Sequence, residues 1–229
     1  MHVCDGCKEM KSNTSHAVLD IKSRKEKAKT IIGILKRYKD IKNSKILDIG
    51  TGSGVIASEI GKISKNVYSV DVVDERIIKN NFAFKKINDE RLPFKDNEFD
   101  IVISNHVMAH VKNGELHLEE ISRVLKSNGI AYLGMQNKLF PLEPNFNMLF
   151  LSWLPKKIAD IYVRAMGRGE YYNVNPLTYA NFIKKISTYF TYEDVTIKII
   201  NQKVAMPAIF YKSLKLFSPV WIFILKKRL

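Results

Sequence analysis

Hydrophobic positions along the chain follow two different periods, and the changes between them predict its secondary structure. Short continuous apolar runs indicate buried strands at residues 45–49, 66–70, 99–104 and 129–135. Apolar positions with helical spacing indicate amphipathic helices at residues 21–39, 55–62, 74–86 and 114–126. Because strands and helices alternate, the pattern predicts an α/β fold in which helices cover both faces of a parallel sheet.

The pattern changes after Gln136. Residues 137–169 are rich in apolar and aromatic side chains and are interrupted by prolines, so they predict an insertion or lid. Asn175 and Pro176 predict the start of a helix that ends near Ser187. The rest of the chain predicts a strand at 192–200, a helix at 208–217 and a final strand at 220–225. Two closing strands suit a mixed sheet with one antiparallel member.

The composition is that of an ordinary globular protein, with 46% hydrophobic and 26% charged residues among 229. The formal net charge of +14 is uneven, since residues 46–137 carry −2 while the segments before and after them carry +7 and +9. Basic flanks of this kind can face nucleic acid, an anionic membrane surface or an acidic substrate. We favour the simpler alternative, which is a lysine-rich surface exposed to water.

Cys4 and Cys7 are the only cysteines, and they have a C-x-x-C spacing near the N-terminus. A structural zinc site would need a second pair of ligands, for which His2 and His16 are the only nearby candidates. A redox motif would need a strand before it and a helix starting at it, and the pattern shows neither. We therefore interpret the two cysteines as incidental. The lack of a disulfide framework predicts a cytoplasmic protein. Met1–Met10 has no apolar core of a signal peptide, and no apolar run approaches the ~20 residues of a membrane-spanning helix.

A glycine-rich segment joins the first predicted strand to the helix after it. The segment reads KILDIGTGSG and ends at Gly54, and its glycines permit a tight turn that lets a ligand approach the backbone. Residues 52–57 also satisfy the G-x-G-x-x-A fingerprint of dinucleotide-binding proteins, with Asp71 at the end of the next predicted strand. The glycines alone therefore do not separate a dehydrogenase from other enzymes with this turn.

Two downstream segments favour one of these classes. Residues 91–111 read RLPFKDNEFDIVISNHVMAHV, and residues 119–129 read EEISRVLKSNG. With the glycine segment, their order and spacing resemble class I S-adenosylmethionine (SAM)-dependent methyltransferases of the type 11-like family over about residues 45–136. The resemblance implies an enzyme with a Rossmann-like, doubly wound, seven-stranded sheet, mostly parallel with one antiparallel strand, and a helical lid after strand five. It also implies SAM as the cofactor and S-adenosylhomocysteine as its product.

The resemblance suggests one methyltransferase domain over residues 1–229. Its expected parts are an N-terminal tail with a leading helix at 1–44, a SAM-binding core at 45–136, a lid and acceptor insertion at 137–190, and closing strands at 191–229.

The resemblance assigns the cofactor to the ends of the predicted strands. Asp48 would help to hold the amino-acid end of SAM, and Asp71 would accept both ribose hydroxyls. Asn88 and Asp89 fall where the family bonds the adenine amino group, and Asp89 is our choice. The full expected cofactor set is Asp48, Gly50, Thr51, Gly52, Gly54, Asp71, Val72, Asn88, Asp89, Asn105 and His106.

Asn105 and His106 fall where the family lines the site of methyl transfer. A hydroxyl acceptor also needs a base, and His106 is our first candidate because an unperturbed histidine has a pKa of about 6.5. Glu143 is the second catalytic candidate. His110 matches a histidine common in the family, and we interpret it as structural. No cluster of metal ligands lies near the fourth strand, so no metal is predicted.

Residues 137–155 resemble a segment found after strand five in some uncharacterised methyltransferases. The functional interpretation is an acceptor pocket with Phe146 and Phe150 among its apolar walls. Asn145 replaces a histidine of that pattern, which puts an acid–base role there in doubt. The alternative is a structural lid whose aromatic side chains simply pack. The expected acceptor residues are Asn137, Glu143, Trp153, Arg168 and Tyr172.

The residues after the fourth predicted strand favour one type of acceptor. Enzymes that methylate amino groups of adenine or glutamine carry an Asn/Asp-Pro-Pro-Tyr/Phe tetrad there, and this chain has Ser104–Val107 (SNHV) instead. We predict O- or C-methylation of a small-molecule or lipid-linked acceptor, without nucleic acid as a partner. The alternatives are an RNA or protein methyltransferase, or a catalytically silent SAM-binding module. Leu214–Leu229 suggests peripheral membrane contact, unless it is simply a final strand with a charged end.

Overall fold

The computed structural model describes residues 20–203 and 218–228. Its main sheet consists of β1 (Ile46–Ile49), β2 (Val67–Asp71), β3 (Ala83–Lys86), β4 (Phe99–Asn105), β5 (Leu125–Gln136), β8 (Phe190–Asp194) and β9 (Val220–Lys227). A separate hairpin is formed by β6 (Leu142–Glu143) and β7 (Met148–Leu149). The helices are α1 (Ile21–Leu35), α2 (Val55–Gly61), α3 (Gly114–Val124), α4 (Lys156–Ala165), α5 (Tyr179–Tyr189) and α6 (Thr196–Lys203), with a 3₁₀ turn at Leu151–Trp153.

The seven strands of the sheet lie in the order β3-β2-β1-β4-β5-β9-β8. All neighbouring pairs from β3 to β5 are parallel, whereas β9 is antiparallel to both β5 and β8. The predicted fold class is therefore confirmed, including its single antiparallel strand. The strand order reverses direction between β1 and β4, and in open α/β sheets such a switch point creates a ligand-binding crevice at the carboxyl ends of the strands.

The sheet separates two hydrophobic cores, because successive side chains of a strand point to opposite faces. On one face Ile46 and Ile101 pack with the apolar sides of α1 and α2. On the other face Leu47 and Val102 pack with α3, α5 and part of the lid. Helices on both faces explain why the strands are almost continuously apolar.

The helix predicted at 74–86 is wrong. Residues 74–82 form an irregular segment, and the edge strand β3 follows it. This segment lies against α2, where a Cβ atom on Gly61 would stand 1.8 Å from the carbonyl oxygen of Asn81. The Ser58 hydroxyl also donates to Asn80 Oδ1 over 3.0 Å. The backbone of the segment therefore approaches α2 closely, a tertiary contact that outweighs a local helical pattern.

Two other boundaries differ from the prediction. The helix expected to begin at Asn175–Pro176 begins at Tyr179 with Thr178 as its N-cap, because the Asn175 N–H donates to the carbonyl of Ala109 over 2.7 Å instead. The strand expected at 192–200 ends at Asp194. The Asp194 side chain accepts the N–H of Thr196 over 3.0 Å, and α6 begins at Thr196. A side-chain hydrogen bond to the first residue of the helix thus ends that strand early.

The C-terminal strand β9 lies inside the sheet, between β5 and β8. Phe223 and Leu225 on it are fully buried, so the described part of Leu214–Leu229 is a strand of the core. Peripheral membrane contact by this segment stays a prediction. Residues 214–217 and 229, and the whole helix expected at 208–217, lie outside the described residues, as do Cys4 and Cys7. Within residues 20–203 and 218–228, no helix is long and apolar enough to cross a bilayer. A cytoplasmic location stays a prediction.

Candidate cofactor and acceptor site

The predicted cofactor residues meet at one edge of the sheet, where the parallel strands end. Asp48 lies in β1, Asp71 ends β2 and Asn105 ends β4. The register aligns Ile49 with both Val70 and Ser104, so the three strand ends are direct neighbours. The structure thus brings together, at the switch point, side chains that are 57 positions apart in sequence from first to last.

The glycine loop between β1 and α2 has left-handed backbone at three positions. Gly50, Gly52 and Gly54 have φ angles of 75°, 50° and 80°. A Cβ atom on Gly50 would stand 2.3 Å from a methyl group of Val107, and one on Gly54 would stand 2.1 Å from the carbonyl oxygen of Ile78. The glycines were expected to make room for a ligand; Gly50 and Gly54 also make room for the protein's own neighbouring segments.

Asp71 closes the glycine loop from the side of β2. Its Oδ2 accepts the Gly52 N–H over 2.9 Å, and its Oδ1 accepts the Val72 N–H over 2.7 Å. Thr51 directs its hydroxyl inward, to the Ser69 hydroxyl and the carbonyl of Val70. The Thr51 side chain therefore braces the loop, whereas a partly exposed carboxylate on Asp71 keeps lone pairs for a ligand.

Asp48 is only 2% exposed, and its Oδ2 has no hydrogen-bond partner among the described residues. Burial and, to a smaller extent, the nearby Asp71 raise the pKa of Asp48 to about 7, while Arg24 opposes the shift. A buried carboxyl oxygen without a partner is costly, and such an atom in a crevice indicates a site for a ligand donor.

Arg24 and Lys27 of α1 are charged residues of this site that the sequence reasoning missed. Arg24 is close enough to Asp48 for each to shift the other's pKa, although burial is the larger effect on Arg24 and lowers its pKa. Lys27 Nζ lies 3.3 Å from His106 Nε2. The available signal was their spacing of three residues on a helix, which places both on one side, but the sequence does not show what that side faces.

His106 follows β4 directly and has a left-handed backbone, with φ of 64°. Burial lowers the pKa of His106 to about 3, and the cations Lys27 and Arg24 contribute to the shift. The prediction of His106 as a general base rested on a pKa near neutrality, and this premise is wrong. A neutral imidazole with so low a pKa can accept a hydrogen bond from Lys27 but holds a transferred proton poorly.

Asn105 is the last residue of β4, at the carboxyl edge of the sheet, and pairs with Gly134 of β5. Its Oδ1 would be only 2.7 Å from a Cβ atom on Gly134, so the glycine is what lets the amide lie beside β5. Its Nδ2 is buried and makes no hydrogen bond within the described part of the chain. A donor without a partner at the end of β4, one residue before His106, is suited to a bound ligand at this edge.

The residues expected around adenine and ribose lie at the outer end of the same edge. The Ile87 N–H donates to the carbonyl of Asp71 over 2.9 Å, which places Asn88 and Asp89 next to the end of β2. Asn88 and Asp89 are exposed, and Val72 is 48% exposed. Asp89 Oδ1 accepts the Arg91 N–H over 2.8 Å. These exposed residues form a surface of mixed polarity beyond the end of β2, farther from Asp48.

Two expected acceptor residues, Asn137 and Glu143, form hydrogen bonds with other parts of the protein. Asn137 donates from Nδ2 to the carbonyl of Ser218 over 2.9 Å and accepts the Leu139 N–H, so both polar groups of its side chain already bond the protein, which weakens its case as an acceptor anchor. Glu143 accepts from Asn145 Nδ2 and from the Phe146 N–H over 2.9 and 2.7 Å. Burial raises the pKa of Glu143. Its carboxyl group shapes the turn of the hairpin, which weakens its case as a base.

The other three expected acceptor residues divide between the inside and the outside of the lid. Tyr172 is buried, and its hydroxyl has no partner among the residues the structure describes. Burial and Glu143 raise the pKa of that hydroxyl. Trp153 is 50% exposed, and Arg168 is also exposed. Tyr172 therefore remains a candidate for the acceptor pocket, whereas Trp153 and Arg168 face outward.

His117 is a buried polar residue that the sequence reasoning did not select. It lies 2.9 Å from the Ser104 hydroxyl, beneath the end of β4, and burial lowers its pKa to about 4. His110, interpreted as structural, is exposed. Within residues 20–203 and 218–228, no group of three potential ligands could hold a metal ion.

Residues 47–133 match the family model of a methyltransferase domain. The ubiquinone biosynthesis O-methyltransferase of Rickettsia canadensis is 28% identical over 153 residues, which cover 62% of this chain and 64% of that enzyme. The chain thus spans slightly less than two thirds of the length of this curated relative.

Two solved structures resemble the whole described fold. The PH0226 protein of Pyrococcus horikoshii has a TM-score of 0.65 at 16% identity, covering 93% of this chain and 95% of that protein. A SAM-dependent methyltransferase of Mesorhizobium loti has a TM-score of 0.62 at 10% identity, covering 87% and 98%. At these identities the likeness shows a shared fold.

Proposed function

We propose that this chain, which belongs through residues 47–133 to the SAM-dependent methyltransferases, methylates an oxygen atom of a hydroxylated small-molecule or lipid-linked acceptor. The Rickettsia relative is named as an O-methyltransferase, which supports an oxygen over a carbon acceptor. The observation that carries the proposal is Lys27 beside His106, because a cation at the end of β4 stabilises a deprotonated hydroxyl.

The chain's own atoms fit SAM at the switch point. The partnerless Asp48 Oδ2 and Asn105 Nδ2 suit the ammonium and carboxylate groups of an amino acid, and Arg24 adds a positive charge beside them. The carboxylate of Asp71 suits ribose hydroxyls, and Asn88 or Asp89 suits the adenine amino group. When bound, SAM supplies an electrophilic methyl group. We retain Thr51, Val72 and His106 as lining residues of this proposed site.

Positioning accounts for most of the work that the chain's residues would do. Lys27 would lower the proton affinity of an acceptor hydroxyl by placing a positive charge near the developing oxyanion. His106 would act as a positioning residue, because its neutral Nε2 accepts a hydrogen bond from the Lys27 ammonium. The acceptor proton would leave to water, since His106 has too low a pKa to hold it. Tyr172 would contact the acceptor from the lid.

Replacing Lys27 by Met tests this role of the ammonium group. We expect kcat/KM for a phenol-type acceptor to fall roughly 10- to 100-fold, because the oxyanion loses its electrostatic partner. The rate should also rise more steeply at alkaline pH, where the free acceptor ionises by itself. The measurement is transfer of a labelled methyl group from SAM to a panel of hydroxylated acceptors, with and without a prenyl chain, beside RNA and protein.

Lys25→Met is the matched control, since Lys25 is an exposed lysine on the same helix. This variant should retain the wild-type rate and pH profile, and Lys27→Arg should recover part of the loss. Equal rates for Lys27→Met and the wild type would contradict the role of Lys27. Labelling of RNA or protein, with none of the small acceptors labelled, would contradict the proposed acceptor class.

The raised pKa of Asp48 predicts that SAM affinity depends on pH. In the free protein this carboxyl titrates near pH 7, and a cationic ligand binds the ionised form better. Binding should therefore release a proton, and affinity should rise roughly five- to tenfold between about pH 6 and 7.5. Calorimetry in two buffers of different ionisation enthalpy measures both quantities. Asp48→Asn should bind more weakly and lose this dependence; an unchanged pH slope in that variant would refute the assignment.

A further inference from the structure

Exposed apolar side chains concentrate in the lid. Thirteen large hydrophobic residues are exposed in the described part of the chain, and eight of them lie between Leu139 and Tyr171. This clustering is unusual, because single exposed apolar residues are normally scattered, whereas a contiguous patch marks an interaction site. The eight are Leu139, Leu149, Phe150, Trp153, Ile158, Ile161, Met166 and Tyr171, here called the lid face.

The elements that carry the lid face pack on one another. The Phe150 and Trp153 rings lie 4.8 Å apart in an edge-to-face arrangement, and both are about half exposed. The Ser152 hydroxyl donates to the carbonyl of Lys138 over 3.0 Å, which holds the 3₁₀ turn beside Leu139. The next helix, α4, begins three residues after Trp153 and contacts the same turn.

Helix α4 exposes apolar residues on the side opposite its core contacts. Its inner side buries Ala159 and Val163. Ile158 and Ile161 are 52% and 59% exposed, and their spacing of three residues places them on one side of the helix. A helix that needed only to cover the core would carry polar residues at these outward positions.

Cations accompany the lid face, and acidic groups are scarce. Lys138, Lys157, Arg164 and Arg168 are exposed, and none of them forms an ion pair with a residue that the structure describes. Of the three acidic residues in this segment, Glu143 is buried and Asp160 is engaged by the Tyr172 N–H over 2.7 Å. Glu170 is thus the only exposed acid here. The face is therefore apolar with a positive margin.

We propose that the lid face binds the surface of an anionic lipid bilayer. Aromatic and aliphatic side chains flanked by lysine and arginine are the composition that inserts into the interface of a bilayer while its cations meet acidic headgroups. This charge complementarity favours a membrane over a second copy of the chain, because two copies of this face would bring their unpaired cations together.

Membrane docking would narrow the class of acceptor in the proposed function, and only this narrowing rests on the proposed function. The same lid buries Tyr172, the residue proposed above to contact the acceptor, so a docked lid would hold the proposed acceptor site at the bilayer. The acceptor class that fits is a hydroxylated compound with a lipid tail. Vesicle binding is independent of this assignment, because it needs neither SAM nor an acceptor.

The test is co-sedimentation of the full chain with vesicles of phosphatidylcholine, with or without phosphatidylglycerol. We expect binding to anionic vesicles only, with the bound fraction falling as salt is added. Phe150→Ser/Trp153→Ser and Lys157→Glu/Arg164→Glu should each weaken binding about tenfold or more. Because all four side chains are exposed, thermal unfolding should show that both variants remain folded.

Two control variants carry matched changes elsewhere. Tyr192→Ser removes an exposed aromatic ring from β8, and Lys36→Glu/Lys42→Glu reverses two exposed lysines at the other end of α1. Both should bind anionic vesicles like the wild type. Equal weakening by test and control variants would overturn the proposal, as would absence of binding to anionic vesicles. A dimer in solution that Phe150→Ser/Trp153→Ser dissociates, without vesicle binding, would assign the face to a second copy instead.

Discussion

Asp71→Ala should weaken SAM binding by about 100-fold or more. The carboxylate of Asp71 accepts the N–H groups of Gly52 and Val72, and it is the proposed acceptor for both ribose hydroxyls. Hydrogen bonds to a charged group contribute about 1.5–3 kcal/mol each, so the loss of two to the ligand alone reaches this size. Isothermal titration calorimetry with SAM measures the change directly.

The matched control is Asp40→Ala. Asp40 also accepts a backbone N–H two residues onward, that of Lys42, but it precedes β1 at the opposite edge of the sheet. Its removal should leave SAM affinity within about twofold of the wild-type value. Asp71→Asn should fall between the wild type and Asp71→Ala, because it keeps one acceptor oxygen. An Asp71→Ala protein that binds SAM with wild-type affinity would refute the placement of the cofactor.

Gly54→Ala should destabilise the fold and lower SAM affinity together. The backbone of Gly54 has φ of 80°, which costs an alanine roughly 1–2 kcal/mol, and the new Cβ atom would stand 2.1 Å from the carbonyl oxygen of Ile78. We expect a loss of about 2–4 kcal/mol in the free energy of unfolding, or roughly 5–15 °C in Tm. Urea and thermal unfolding measure the stability, and calorimetry measures the affinity.

Gly33→Ala provides the opposite expectation at a second glycine. Gly33 lies in α1, and a Cβ atom there would meet nothing within 4 Å. Alanine should therefore stabilise the helix by about 0.5–1 kcal/mol without changing SAM affinity.

If Gly54→Ala unfolded at the wild-type temperature, the close approach of residues 77–82 to the glycine loop would be wrong.

The central strands of the sheet could be predicted from the sequence because each of them is recognisable from its own residues. Strands such as 99–104 are buried on both faces and therefore read as short apolar runs, which need no partner to be recognised. The edge of the sheet was harder. Ala83–Lys86 is exposed at every position except Phe84, so it does not read as a buried apolar run. The segment before it, 74–82, has a helical pattern but packs closely against Gly54 and α2 in an irregular conformation.

The candidate site divides in the same way. Motif spacing placed Asp48, Asp71 and Asn105 at strand ends, and a parallel sheet necessarily brings such ends to one edge. Arg24 and Lys27 were missed because they precede the first motif by 21 and 18 residues, and only the packing of α1 brings them to the site. His106 was expected to be a base because the sequence carries no information on burial, which sets its pKa.

The sequence by itself thus determined the fold class, the glycine loop and the carboxyl edge at which a cofactor is expected. These features depend on hydrophobic periodicity and turn preferences, which are properties of residues close together in sequence. Tertiary structure alone decided which groups are buried, which face one another across elements and which remain outside. That is why the lid's aromatic residues were expected to line a pocket, whereas Phe150 and Trp153 are half exposed on its outer face. The burial of a side chain depends on which residues pack against it, and for this lid those residues are distant in sequence.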